Sequence, residues 1–230
     1  MVSCSCADTF EDSSDMPSST PATLGTRMSY TIAHLFRRQI LPTASLLLCF
    51  ALLPAAAFGQ GQAPSPPNEP FAGGRWHVEF GVQAALEAWN YNPSHEELYG
   101  LIQGVTYGLR DGLVLTARQR IFYVSQRLND SRLLGLTAGL RGRIYRRGRA
   151  SAFWQFDFGV SDAAVATPPR GTRFNYLAIG GGGFTWRLNG HLDAIATLDV
   201  IHISNSGIAG PDRNPDIEAI GPSLGVIIGF

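Results

Sequence analysis

Apolar and polar residues alternate with a period of two along most of the chain from Trp76 to Phe230. Alternation of this kind predicts β-strands that have one apolar face and one polar face. No part of this region keeps a helical period over a useful length. The sequence therefore predicts eight strands, over 76–88, 98–110, 112–124, 132–145, 149–160, 174–188, 192–205 and 217–230.

The connections between the predicted strands alternate between short and long. The short ones contain Asp-Gly, Arg-Arg-Gly and Asn-Gly, at 111–112, 146–148 and 189–190, and Asp-Gly and Asn-Gly favour tight hairpins. The long ones are polar and span 90–97, 125–131, 161–173 and 206–216. Short turns at one end and long loops at the other predict an all-β fold, an eight-stranded antiparallel up-and-down transmembrane β-barrel.

The two faces of these strands differ in a way that indicates what surrounds the barrel. One face is apolar and includes Trp76, Phe80, Leu136 and Phe158. The other face carries Glu79, Gln83, Glu87, Arg118, Arg120, Arg141, Arg143, Asp157, Asp193 and Asp199. In a narrow barrel surrounded by lipid, these charges of both signs would pair in the interior. A water-soluble barrel or sandwich, which would place its charges outside, remains the alternative.

The residues ahead of the barrel have the composition of a targeting segment. Arg37-Arg38 precede an apolar run over 40–57, and Ala55-Ala56-Ala57 supply small residues for cleavage. A retained membrane anchor is the alternative, and Pro42 and Pro54 argue against it. The predicted boundaries are an extension over 1–27 (the start is Met1 or Met28), a signal peptide over 28–59, a flexible lead-in over 60–74 and the barrel over 75–230.

Composition excludes several classes of function. The formal net charge is +0, which gives no electrostatic reason to expect nucleic acid as a partner. The cysteines are Cys4, Cys6 and Cys49, all before the predicted cleavage point, so the processed chain would hold no disulfide or thiolate metal site. A narrow eight-stranded barrel fills its interior with side chains, which argues against a pore. The expected location is the outer membrane of a Gram-negative cell.

Three polar side chains continue the apolar face of the last two strands at their long-loop end. His202 and Ser204 lie on the first of these strands and Glu218 on the second. A hairpin with Leu192 opposite Phe230 would place Ser204 opposite Glu218, with Cβ atoms about 4.5–5.5 Å apart. A hydroxyl, an imidazole and a carboxylate are what a nucleophile, its base and the base's orienting group require.

The face on which these side chains lie points to the class of substrate. All three would face lipid, at the extracellular rim of the barrel. Polar groups in contact with hydrocarbon are costly unless they lie near the interface or are used. A substrate would reach them sideways from the outer leaflet, which favours a lipid.

At these residues the sequence resembles the lipid A 3-O-deacylase family of the PagL type. That family carries a His-x-Ser-Asn signature followed, after a loop, by a Glu near the start of the last strand. The matching residues here are His202, Ser204, Asn205, Gly207, Pro211, Asn214 and Glu218, and Phe230 resembles the terminal aromatic of outer-membrane barrels. The loop between Ser204 and Glu218 is slightly longer than the family's pattern.

The resemblance implies a serine hydrolase that removes the ester-linked acyl chain at position 3 of lipid A. Ser204 would be the nucleophile, His202 the general base and Glu218 the group that orients the imidazole. Asn205, Gly207 and Asn214 are the candidates for oxyanion binding or support. No cofactor and no metal is implied.

Five arginines in or beside the long loops are candidates for contact with the phosphates of lipid A. They are Arg127, Arg132, Arg170, Arg173 and Arg213. A solvated surface role for each is the alternative. The expected partners are lipid A or lipopolysaccharide in the outer leaflet, and a homodimer is left open.

The sequence leaves three hypotheses about function open. The first is an outer-membrane esterase that acts on lipid A. The second is a non-catalytic barrel with a structural or adhesive role, in which the three side chains do nothing chemical. The third is an outer-membrane esterase that acts on another acyl lipid, such as a phospholipid.

Overall fold

The structure is a computed structural model that describes residue 66 and residues 68–88 and 95–230. It contains eight strands and, before the last, one turn of 3-10 helix at Pro211–Arg213. The strands are β1 Trp76–Glu87, β2 Glu97–Arg110, β3 Leu113–Ser125, β4 Ser131–Arg147, β5 Ala150–Ala163, β6 Phe174–Arg187, β7 Leu192–Ser204 and β8 Ile217–Gly229. The predicted strands are confirmed to within a few residues. The predicted extension and signal peptide, 1–27 and 28–59, lie outside the described residues.

Each strand pairs antiparallel with its neighbours in chain order, and β1 pairs with β8, so the sheet closes into a barrel. Two of the short turns depend on glycine, because Gly112 and Gly148 have positive φ angles of 85° and 56°. The short turns lie at one end of the barrel, the short-turn end, and the long loops at the other, the long-loop end. The predicted all-β, eight-stranded, up-and-down fold is confirmed.

The outer surface of the barrel is apolar, as the alternation of residues predicted. Large side chains such as Phe80, Leu136, Phe158 and Leu224 are about half exposed. A water-soluble barrel would bury such residues, so the alternative of a soluble barrel does not hold. The chain is a membrane-spanning barrel whose backbone polar groups are paired within the sheet.

No helix among the described residues is long and apolar enough to cross a membrane.

The middle of the lumen holds a network of ion pairs and amide hydrogen bonds. Arg118 bonds Asp157 and also lies 3.4 Å from Glu79, and the Arg141 Nη2 donates to Glu79 at 2.9 Å. Two glutamines, Gln83 and Gln155, donate to the two carboxylate oxygens of Asp199 at 2.9 and 2.8 Å. Charges buried from water are tolerated when they are paired and hydrogen-bonded in this way.

Apolar layers lie on both sides of this network. At the long-loop end the lumen is filled by Ala85, Leu98, Phe122, Val124, Leu133, Ala163, Leu177, Ile179, Ile201, Ile203, Ile217 and Ala219. At the short-turn end a smaller cluster contains Phe71, Val114, Phe153, Ile195 and Ile227. The lumen is therefore packed along its length, as expected for eight strands.

The segment just before β1 packs into the short-turn end of the barrel. Phe71 is fully buried against Phe153, with ring centroids 5.9 Å apart. Glu69 lies 3.3 Å from both Arg143 and Arg146. The prediction of a flexible lead-in over 60–74 is therefore wrong for residues 68–74. A Pro- and Gly-rich composition did not indicate that one phenylalanine and one glutamate would find partners inside the lumen.

We expect Asp157→Asn to destabilise the barrel by about 3–5 kcal/mol, because it leaves Arg118 and Arg120 buried without their shared carboxylate. Urea unfolding in detergent micelles measures the change. Asp212→Asn, at an exposed position in the loop before β8, is the control and should leave the midpoint within error. Equal midpoints for both variants would mean that the network does not stabilise the fold.

Candidate functional site

The two strands that carry the candidate triad pair in a register that differs from the predicted one by two residues. His202, and not Ser204, lies opposite Glu218, and Leu192 lies opposite Ile228 rather than Phe230. A shift of two residues keeps every side chain on the same face. The long loop between β7 and β8 leaves the choice among even shifts open, whereas a tight turn would have fixed it.

The observed register brings the three side chains together on the outer face of the barrel. His202 Nε2 lies 3.0 Å from Ser204 Oγ, which is hydrogen-bond distance. His202 Nδ1 lies 3.6 Å from Glu218 Oε1, too far for a hydrogen bond. Catalytic hydrogen bonds are often long without substrate. The imidazole thus lies between the hydroxyl and the carboxylate, in the order that a serine hydrolase needs.

A third acidic side chain, which was not predicted from the sequence, lies beside this triad. The ligand atoms of His202, Asp216 and Glu218 all fall within 4.8 Å of one another. Burial raises the pKa of Asp216, the positive charge of His202 opposes that shift, and the negative charge of Glu218 adds to it. Asp216 stands two positions before Glu218, so strand parity already placed it on the same face. It was missed because the last strand was predicted to start at Ile217, one residue later.

His202, Asp216 and Glu218 are also spaced closely enough to bind a divalent cation, and they are the one such group found within residues 68–88 and 95–230. Imidazole and carboxylate are ligands that transition metals accept. A metal on Nδ1 would occupy the nitrogen that Glu218 orients, so metal binding and the triad geometry compete for one atom.

Two of the oxyanion candidates are already bonded to each other in the loop after β7. Asn205 Oδ1 accepts the Gly207 N–H at 2.9 Å, and Asn205 Nδ2 donates to Thr172 Oγ1 at 3.1 Å and to the Arg213 carbonyl. Asn205 therefore ties the β7–β8 loop to the β5–β6 loop. The third candidate, Asn214, has a buried Oδ1 with no hydrogen-bond partner among the described residues, so the acceptor side of its amide is unused.

The five candidate arginines divide between two places at the long-loop end. Arg170, Arg173 and Arg213 are exposed in the two loops that Asn205 joins, and Arg213 Nη2 donates to the Gly171 carbonyl at 3.4 Å. Arg173 is partly committed, since it bonds the Ala163 carbonyl and Asp162. Arg127 and Arg132 lie one loop further around the rim, and both are exposed.

A strip of small residues runs down the outer wall from the triad. On β6 the outward residues opposite His202, Val200 and Leu198 are Ala178, Gly180 and Gly182. On the other side of this strip β5 presents Phe158, Phe156 and Trp154. Small residues thus lie between two rows of larger ones, which is the residue pattern of a shallow groove. It ends at Phe184, about 20 Å from Ala178 at 3.4 Å per residue, a length comparable with one leaflet of the bilayer core.

Other hollows of the outer surface lie away from the triad. One of about 480 Å³ is lined by Phe184, Trp186, Ala194, Ala196 and Leu224 near the short-turn end. Ala196 is six residues along β7 from His202, which corresponds to about 20 Å. This hollow is therefore too distant to hold an ester group at Ser204.

Comparison with known proteins gives the fold but no family. No protein-family model matches the chain, and no curated protein matches it either. Among solved structures it is similar to Neisserial surface protein A, with a TM-score of 0.54, 12% identity and coverage of 67% of this chain and 97% of that chain.

OprG from Pseudomonas aeruginosa gives a TM-score of 0.47 at 12% identity, covering 70% and 98% of the two chains. The outer-membrane enzyme PagL gives 0.44 at 18% identity, covering 64% and 98%. The chain is an eight-stranded outer-membrane β-barrel. Its apolar outer surface and closed sheet place it in the outer membrane of Gram-negative type.

The position of the triad at the rim predicts how charge is tolerated along β7. Leu198→Arg, in the middle of the strand on the lipid face, should cost about 2–4 kcal/mol, whereas His202→Arg should cost about 0–1 kcal/mol near the interface. Reversible urea unfolding in phospholipid bilayers measures both, with Leu198→Ala and His202→Ala as matched controls. Equal costs would mean that the triad lies as deep in the membrane as Leu198.

Proposed function

We propose that this protein is an outer-membrane serine esterase that removes the 3-O-linked acyl chain from lipid A and so remodels lipopolysaccharide. The observation that carries the proposal is the His202 imidazole, placed between Ser204 and Glu218 on the lipid-facing surface at the rim. A lipid ester in the outer leaflet is the substrate that can meet a hydroxyl in that position. The choice of lipid A among such esters follows from the resemblance of the His-x-Ser-Asn segment to the PagL-type family.

In the proposed reaction the Ser204 Oγ attacks the ester carbonyl while His202 Nε2 takes the hydroxyl proton. The carbonyl oxygen becomes an oxyanion, and collapse of this tetrahedral species breaks the bond to the sugar oxygen. His202 returns the proton to that oxygen, which leaves as the sugar hydroxyl. Water then attacks the acyl-Ser204 ester in the same way, and the fatty acid leaves. Glu218 accepts the Nδ1–H bond and stabilises the imidazolium in both steps.

The oxyanion needs a hydrogen-bond donor close to the ester carbonyl. Asn214 is the favoured candidate, because its side-chain Nδ2 is a donor and its Oδ1 accepts no bond that would fix the amide elsewhere. Asn205 and Gly207 are assigned supporting roles, since each uses its polar group to hold the loop that carries Asn214. Loss of a single such donor costs about 10²–10³ in kcat in other hydrolases.

The groove on β6 supports an acyl substrate. Its small-residue floor starts at Ala178, directly opposite His202, and runs away from the rim into the depth of the leaflet. An acyl chain lying there would keep its ester at Ser204 and its tail against Phe156, Phe158 and Leu198. The head group would then lie at the rim, within the region of the exposed Arg170 and Arg213.

The cationic loops support a phosphorylated head group. Arg170, Arg173 and Arg213 belong to the two loops that flank Ser204, and guanidinium groups bind phosphate through paired hydrogen bonds. Arg127 and Arg132 extend this basic region around the rim. Lipid A carries phosphates on its sugars and ester-linked acyl chains, so it combines both features that the surface is suited to bind.

The test is mass spectrometry of lipid A from cells that express the wild type, Ser204→Ala or Ser206→Ala. We expect the wild type to remove one hydroxyacyl chain from lipid A and Ser204→Ala to remove none, since loss of the nucleophile typically costs about 10⁶ in kcat. Ser206 is the matched control, because it is exposed, lies two residues away and makes no contact with the imidazole that the structure records.

Each other result assigns a different function. Unchanged lipid A with altered phospholipids in the wild type alone would favour an esterase for another acyl lipid. No change in either lipid would favour a non-catalytic barrel. Equal deacylation by the wild type and Ser204→Ala would show that the reaction does not use this serine.

Filling the groove should weaken turnover of long-chain substrates. A Cβ built at Gly180 meets only a Phe156 ring carbon, at 3.7 Å, so Gly180→Leu should fold and place its side chain in the groove. We expect kcat/KM for a long-chain ester to fall at least about 10-fold, in line with 1–3 kcal/mol for a misfitted apolar group. A short-chain ester should be affected less.

The matched control is Ala117→Leu, which places the same leucine side chain on the lipid face of β3, on another part of the barrel. It should leave kcat/KM unchanged for both esters. If Gly180→Leu and Ala117→Leu behave alike, the acyl chain does not lie along β6.

A further inference from the structure

Asp216 is the second acidic group that faces the His202 imidazole. It lies directly before β8, two residues ahead of Glu218 and on the same face, and it is half-buried. A carboxylate oxygen of Asp216, one of Glu218 and a ring nitrogen of His202 lie within 4.8 Å of one another. An aspartate at the end of a loop commonly serves the local turn. A turn role alone gives no reason for its carboxylate to face the base of the triad.

The orienting hydrogen bond of the triad is not made in the resting geometry. His202 Nδ1 is buried and has no hydrogen-bond partner among the described residues, and Glu218 Oε1 lies 3.6 Å away. A buried N–H without an acceptor is costly. Small side-chain rotations would bring either carboxylate to hydrogen-bond distance, since both already lie within 4.8 Å of the cluster.

We propose that Asp216 is a second carboxylate for the His202 imidazole, a positioning residue that can take the place of Glu218 at Nδ1. The inference rests on the proposed esterase function and deepens it. When Nε2 accepts the proton of Ser204, the imidazolium faces two carboxylates rather than one. Either of them can hold the ring in the tautomer that leaves Nε2 free to act as the base.

The charges around Asp216 are compatible with this role. Asp216 interacts electrostatically with His202 on β7, Glu218 on β8 and Glu96 just ahead of β2. Glu96 in turn interacts with Glu87 on β1. Three of these four are acidic. The transient charge on His202 is therefore the positive charge that this acidic cluster would stabilise.

The experiment is a double-mutant cycle on lipid A deacylation by the purified full-length barrel in detergent micelles. The variants are Glu218→Gln, Asp216→Asn and the two combined, with Asp212→Asn as the matched control on the same loop. We expect each single variant to lose no more than about 10-fold in kcat/KM, because the other carboxylate takes over, and the double variant to lose about 10⁴-fold, the loss typical of a triad without its acid. The variant Glu218→Gln/Asp216→Glu keeps a carboxylate at position 216. It should therefore be about as active as Glu218→Gln and far more active than Glu218→Gln/Asp216→Asn.

Single losses that multiply to the double loss would show independent roles and overturn the proposal. So would a Glu218→Gln variant that is already as inactive as Ser204→Ala. Unfolding midpoints of all variants must match the wild type within error, so a loss of stability is recognised separately. A wild type that does not deacylate lipid A contradicts the proposed function itself.

A spectroscopic readout tests the contact without using activity. Once either carboxylate has rotated to hydrogen-bond distance, the His202 Nδ1 proton should give a downfield ¹H NMR signal, in the wild type and in both single variants. It should vanish only in the double variant. Loss of the signal in Glu218→Gln alone would show that Asp216 does not reach Nδ1, whatever the substrate of the enzyme is.

Discussion

The pairing of β1 with β8 is the constraint on which the rest of the molecule depends. Backbone N–H and C=O groups in hydrocarbon need partners within the protein, and only a closed sheet provides them for strands. Closure in turn gives every strand one face in the lumen and one in lipid. Successive residues of a strand then alternate between the lumen and the lipid, so a residue's place in the strand decides which of the two its side chain faces.

The lumen shows the energetic consequence of this rule. Charges cannot face lipid, so they point inward, where Arg118, Arg141, Glu79 and Asp157 satisfy one another. At the long-loop end the ionic layer gives way to an apolar one that includes Ile203 and Ile217. These two residues are register partners and stand next to Ser204 and Glu218 along the chain. The polar triad outside is thus supported by a dry, close-packed layer inside, which holds β7 and β8 in a fixed relation.

Strand parity made most of the fold predictable from the sequence. Period-two alternation and Asp-Gly or Asn-Gly turns indicated the number, order and faces of the strands, because those signals are local. The register of β7 against β8 was not predictable in the same way, since a twelve-residue loop, 205–216, permits several even shifts. The packing of Phe71 into the lumen also escaped prediction, because it depends on contacts with Phe153 and Arg143 from distant strands. Asp216 was within reach of parity and was missed because the strand was assumed to start at Ile217.

Closure of the barrel also limits which groups could bind the oxyanion in a catalytic site on its outer wall. In many hydrolases the oxyanion is bound by backbone N–H groups. Ser204 pairs with β6, and the residues before it on β7 pair with both β6 and β8, so the N–H groups of this strand are needed for the sheet. A site on the wall of a barrel must therefore take its oxyanion donor from a loop or a side chain. The β7–β8 loop supplies such groups, and Asn205 fixes it to the neighbouring loop through Thr172. In the proposed site, nucleophile and base would thus be carried by rigid strands, while the oxyanion donor would be carried by a loop that Asn205 and Arg213 tie to the neighbouring loop.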